Sequence, residues 1–195
     1  MGIPSIRETA ASLEGLRRIV RMDPTGLDCF NASVQGFWNS FFVAVLTLPF
    51  YLLQAGVYYM NADIEASAAR FLSLELMTFV LGWLVYPVVM VTVTQVMDRW
   101  QHYLRYMVAY NWFQLVVAAL LLPLSLLQLT GMAPDGLIAL LFLMATSAFL
   151  LYGWFIANRG LDLGGATAAG IVILDLALSL LVNGATDLLL KGAQG

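Results

Sequence analysis

The sequence predicts an all-α membrane protein: a bundle of about five transmembrane helices preceded by an amphipathic interfacial helix. Three observations carry this. Apolar residues make up 61% of the 195-residue chain and charged residues 11%, a balance at odds with the wetted surface of a soluble domain of this size. Five apolar stretches reach the roughly 20 residues needed to cross about 30 Å of hydrocarbon. The remaining charges gather in the short segments between those stretches.

Residues 1–35 are too polar to span but are patterned. Ser5 followed by Glu8 has the capping-box spacing that opens a helix. Ile6, Ala10, Leu13, Leu16 and Val20 then recur at three- and four-residue intervals, with Arg7, Glu14, Arg17, Arg18 and Arg21 on the remaining arc. Asp23-Pro24-Thr25-Gly26 stops the helix. Such a segment beside a first span lies in the headgroup plane, as a docking face or as a topological anchor through Arg7, Arg17, Arg18 and Arg21. Met1-Gly2 is not a myristoylation signal, because Ile6 stands where Ser or Thr is required.

The spans are expected at 36–60, 71–97, 106–130, 137–157 and 165–190, with a tail at 191–195. The first long apolar run begins near Gly36, so a cleaved secretory signal is not expected and the first span acts as its own insertion signal. Seven arginines (7, 17, 18, 21, 99, 105 and 159) fall on one side of alternating crossings, and only Arg70 and Lys191 on the other. Cytoplasmic segments retain positive charge, which predicts a cytoplasmic amino terminus and an exterior carboxyl tail. The glycosylation-like triplet Asn31-Ala32-Ser33 then faces the cytoplasm and is read as chance. Aromatic residues at the span edges read as interfacial belts: Phe37 and Trp38; Tyr58 and Tyr59; Trp100, Tyr103 and Tyr106; Tyr110 and Trp112; Tyr152 and Trp154. His102 reads as a solvated loop residue or a pH switch.

Several function classes are excluded. The net charge of -3 and the absence of a basic stripe argue against nucleic acid as a partner. One cysteine, Cys29, and one histidine leave no internal disulfide and no Cys/His zinc set. No His-Glu-x-x-His, Gly-x-Ser-x-Gly or P-loop run is present, so neither catalysis nor a cofactor is expected.

Polar groups inside a span are costly and each needs a reason. Asp175 lies ten residues into the last span, about 15 Å deep at 1.5 Å per residue. Its placement there costs on the order of 2.5–3.5 kcal/mol. No Lys or Arg lies within a span to offset it. Asp175, Ser179, Asn183 and Asp187 form a stripe at four-residue spacing that should face protein or water. Candidate partners are Asn111 and Gln114, then Gln95, and then Thr146 and Ser147. The stripe is either a proton or cation site in a transport path or interhelical glue. Glu75 should reach Arg70 or headgroup water, and Asp187 should pair with Lys191. Pro49, Pro87 and Pro123 each sit inside a span and bend it. Gly165 with Ala169, and Ala166 with Gly170, allow a close helix approach.

In layout, a short amphipathic segment, five crossings and a brief outward tail, the chain resembles the Yip-domain family of five-pass membrane proteins over about residues 14–190. The local echo is Tyr152-Gly153-Trp154-Phe155-Ile156-Ala157, then Arg159-Gly160-Leu161 and the small residues from Ala166 to Ala169. Eukaryotic members are implicated in vesicle traffic and contact small GTPases. The Asp-Leu-x-Gly-Pro run that they tend to carry before the first span is missing here, so GTPase binding is not carried over and the resemblance implies a bacterial member of unassigned role. Two expectations result. The first is a non-enzymatic assembly or adaptor component of a bacterial inner membrane, which partners itself or another membrane protein. The alternative is a small proton- or cation-coupled transporter or channel subunit using Asp175.

Overall fold

The computed structural model describes residues 2–61, 64 and 66–191, apart from the side chain of Lys191. The described residues are helical, without strands: α1 (Ile6–Val20), α2 (Val34–Ser40), α3 (Phe42–Asn61), α4 (Ala68–Val96), α5 (Tyr103–Thr130), α6 (Asp135–Gly160) and α7 (Gly165–Lys191). Helices α3 to α7, with α2 prefixed to α3, give five elements long and apolar enough to cross a bilayer. The chain is a multi-pass membrane protein. The expected first span is divided at Phe41, so α2 and α3 are separate helices. Pro49, Pro87 and Pro123 all lie inside helices.

The five long helices close into a ring: α3 packs on α4 and α5, α4 on α7, and α6 fills the space between α7 and α5. At the end of the ring that carries α1, short connections are made possible by abrupt helix stops. Asp98 and Asp162 adopt left-handed backbone, with φ of 53° each, a conformation that aspartate tolerates better than most residues. The amides of Arg99 and Leu163 then reach back to the carbonyls of Thr94 and Asn158, a Schellman-type closure that satisfies carbonyls the helix leaves open.

Helix α1 folds against the turn at Pro24–Cys29 through glycine-to-glycine contact. A Cβ on Gly15 would lie 2.8 Å from the Gly26 carbonyl oxygen, and one on Gly26 would lie 2.7 Å from that of Gly15. The buried face of α1 is Ser12, Gly15, Leu16 and Ile19. Of the apolar residues expected to share one face, only Leu16 is covered. Ile6, Ala10, Leu13 and Val20 stay uncovered, because the small residues rather than the large ones set the line of closest approach. The Ser5 hydroxyl caps the helix by accepting from the Glu8 amide at 3.1 Å. Glu8 does not return the bond; its carboxylate accepts from Asn31 and Asn39 instead and pins α1 to both ends of α2.

The core is concentrated at this same end, where Leu16, Ile19, Met90, Tyr106, Met107, Trp112 and Ile156 pack together. Tyr106 and Trp112 are therefore core residues rather than belt residues, as they are buried to 2% and 1% exposure. Tyr106 bonds Tyr86 of α4 and packs on Gly160 of α6, a position between helices that hydropathy does not distinguish from a lipid-facing one. Trp38, Tyr58 and Trp100 are uncovered.

Candidate functional site

Toward the opposite end the ring loosens around an open cavity of about 440 Å³ lined by α3, α4, α5 and α7. Asp175, Ser179 and Asn183 line it from α7, and Asn111 and Gln114 from α5. The four-residue spacing of α7 explains the first group. Asp187, one step further on, is uncovered and outside the lining; its neighbour Thr186 turns inward and bonds Thr78 of α4. The pairing of Asp187 with Lys191 concerns a side chain outside the described residues.

Asp175 is held by a residue not anticipated as its partner. The Tyr110 hydroxyl lies 2.9 Å from each carboxylate oxygen and donates to them. The Tyr110 ring stacks on that of Tyr86, with centroids 4.6 Å apart, and the Tyr86 and Tyr106 hydroxyls bond each other beneath. Tyrosines therefore form the floor of the cavity. Their sequence signal was the spacing of Tyr103, Tyr106 and Tyr110 with Gln114, which is one helical face. It was masked because the same residues follow a charged loop, where belt aromatics also occur.

The other expected partners are elsewhere. The Asn111 amide donates to Ser40 at 2.9 Å, joining α5 to α2. Gln95, Thr146 and Ser147 are exposed and take no part in the cavity: α6 does not contribute to its lining, and Gln95 lies beyond Pro87, where the α4 lining ends. Asn183 donates to the Ser179 carbonyl of its own helix at 2.7 Å. Glu75 accepts from Tyr51 rather than from Arg70, whose guanidinium donates to the Leu189 carbonyl at 2.9 Å. Tyr51 and Glu75 belong to a second space of about 270 Å³, which shares Tyr51 and Gln54 with the first. Gln54 bridges to Ser125 at 2.8 Å. The two spaces are thus contiguous and polar at intervals along α3.

Of the four arginines read as anchors, Arg17 and Arg18 both donate to Glu14. Their three hydrogen bonds, two from Arg17 and one from Arg18, hold the Glu14 carboxyl down at about 2. Arg18 also reaches Thr25, so it serves the contact of α1 with the turn. Among the described residues, Arg7 and Arg21 make no ion pair and are exposed. His102 is half-buried in the turn before α5. No three His, Cys, Asp or Glu side chains gather as a metal set among the described residues.

No protein-family model, curated protein or solved structure matches this chain.

Proposed function

We propose that this protein is a small transporter or channel subunit that loads a proton or a cation at Asp175 within the membrane. The supporting observation is the setting of Asp175: an acid on the wall of a cavity of about 440 Å³ with no Lys or Arg in its lining. A carboxyl group so placed has no internal counter-charge and must take a proton or a cation to be tolerated. Tyr110 orients it without neutralising it. The chemistry is binding and release, with no covalent step. In this reading the amino terminus is cytoplasmic, on the arginine bias, and the membrane is a bacterial inner membrane, on the shortness of the loops. Helix α1 then lies at the headgroups, with Leu13 and Val20 toward lipid and Arg7 and Arg21 toward phosphates.

The test is ion flux into proteoliposomes, with an internal pH dye under an imposed potential and, separately, with labelled sodium. The wild type should carry one of the two ions, and Asp175→Asn should abolish that movement while keeping the helical spectrum of the folded protein. Flux equal in the two proteins removes the reading, as does flux equal to empty vesicles for proton, sodium and a labelled organic cation alike.

A second reading is an assembly component, to which the Yip-like layout belongs. It is favoured by the Ala166 and Gly170 face of α7, where a Cβ on Gly170 would meet nothing within 4 Å. A partner helix has room to approach there, whereas Gly165 already packs on Trp154 of the same chain. Co-purification from mild detergent with a reproducible second protein, lost on Gly170→Leu, would support it.

A further inference from the structure

We infer that the cavity takes a lipophilic organic cation, of the quaternary ammonium or phosphonium kind, rather than a bare metal ion. This rests on the transport reading and specifies its substrate class. The walls carry the argument. Tyr51, Phe79, Trp83, Tyr86 and Tyr110 all line the space that holds Asp175. On α4, Phe79, Trp83 and Tyr86 follow at four and three residues, which places them on one face of the helix. The rings continue one another: Tyr51 to Phe79 at 5.0 Å between centroids, Phe79 to Trp83 at 6.3 Å, and Tyr86 to Tyr110 at 4.6 Å.

A bare alkali or alkaline-earth ion must exchange its water for a closed shell of about six oxygen ligands. The site does not offer one. Among the described lining residues Asp175 is the single carboxylate, its two oxygens share the Tyr110 proton, and the Asn183 NH2 group is bonded to its own helix. A large organic cation carries little hydration and needs no such shell. Ring faces attract it through their quadrupoles, and a single carboxylate supplies the charge. The volume agrees, since about 440 Å³ lies within the roughly 300–1,000 Å³ of small-molecule pockets and far exceeds what one metal ion fills. Space remains beside Gly82, where a Cβ would meet nothing within 4 Å. The absence of Lys and Arg from the lining excludes an anion. Glu75 in the adjoining space puts a second acid along the same aromatic route.

The experiment is equilibrium binding of radiolabelled methyltriphenylphosphonium to the full chain in lipid nanodiscs, with empty nanodiscs subtracted. Saturable binding is expected. Trp83→Leu should weaken it roughly 3- to 30-fold, the range of a cation held on one ring, while Trp83→Phe should retain most of it. Asp175→Asn should weaken it at least about tenfold. Should that variant not fold, the Trp83 pair decides. Binding that is not saturable, or that is unchanged in both Asp175→Asn and Trp83→Leu, overturns the inference. If binding is absent while proton or sodium flux still depends on Asp175, the substrate class is wrong and the transport reading stands. If both are absent, the two fall together.

Discussion

The half of the bundle that carries α1 and the half that faces away from it are built from continuous stretches of the same helices, yet they pack in opposite ways. Near α1, Trp112, Tyr106, Met90, Met107 and Ile156 are all at 2% exposure or less, and the helices meet without a gap. Away from α1, the buried residues include Thr78, Ser125 and Thr186, joined across helices by single hydrogen bonds, and two contiguous spaces open between the helices. Lipid removes most of the hydrophobic reward for helix association, so tightness depends on how well side chains interlock. Large shapes interlock mainly at the α1 end, while Phe71 against Tyr59 is an isolated large contact at the other. Asp175 sits where the two regimes meet, with a solid floor of tyrosines below it and open volume above.

The contrast predicts unequal costs. Trp112→Ala should lower the unfolding free energy by about 3–5 kcal/mol, because a fully enclosed cavity replaces the ring. Thr78→Val should lower it by only about 0.6 kcal/mol, the usual value of one interhelical hydrogen bond in a membrane. Steric-trap or denaturant unfolding in bicelles measures both, and equal losses would break the comparison. An intermediate effect is expected for Gly15→Ala, about 1–3 kcal/mol from forcing a methyl group against the Gly26 carbonyl. Amide exchange should then rise in α1 and remain unchanged in the distal part of α7.

The smallest effect is a pH response of α1. Glu14 is depressed from 4.5 to about 2 by its hydrogen bonds from Arg17 and Arg18. A depressed carboxyl stabilises the folded state above its unfolded value, and that stabilisation is lost as pH falls through the folded value. The contact of α1 with the turn should therefore hold at pH 5 and loosen between about 4.5 and 2, as followed by amide exchange of Arg18 and Ile19. Glu14→Gln should remove the response. Loosening of the α1-distant half over the same range would contradict the division.

Five apolar stretches separated by charged loops announce their own helices, because a backbone in hydrocarbon has few alternatives to a helix. Likewise Asp175, Ser179, Asn183, Asn111 and Gln114 stood out as polar residues where polarity is expensive, and they line one cavity. The tyrosine floor was not legible, since tyrosine is equally suited to a headgroup belt and to a buried hydroxyl pair, and only the helix rotation separates the two. The same ambiguity affected α1. Its large apolar residues marked a face, but Gly15 and Gly26, which carry no hydrophobic signal, chose which face would be covered.

Helix length has a further consequence. The 29 residues of α4 and the 28 of α5 extend about 43 and 42 Å at 1.5 Å per residue, against a hydrocarbon slab of about 30 Å. More than a quarter of each helix must leave the slab or lean within it, at a cost of fractions of a kcal/mol per Å of mismatch. Because the α1 end is rigid, the lean is shared by the whole ring rather than by one helix. Bilayer thickness thereby sets the angle at which the open end meets the far interface, and the same chain will present its cavity differently in thin and thick membranes.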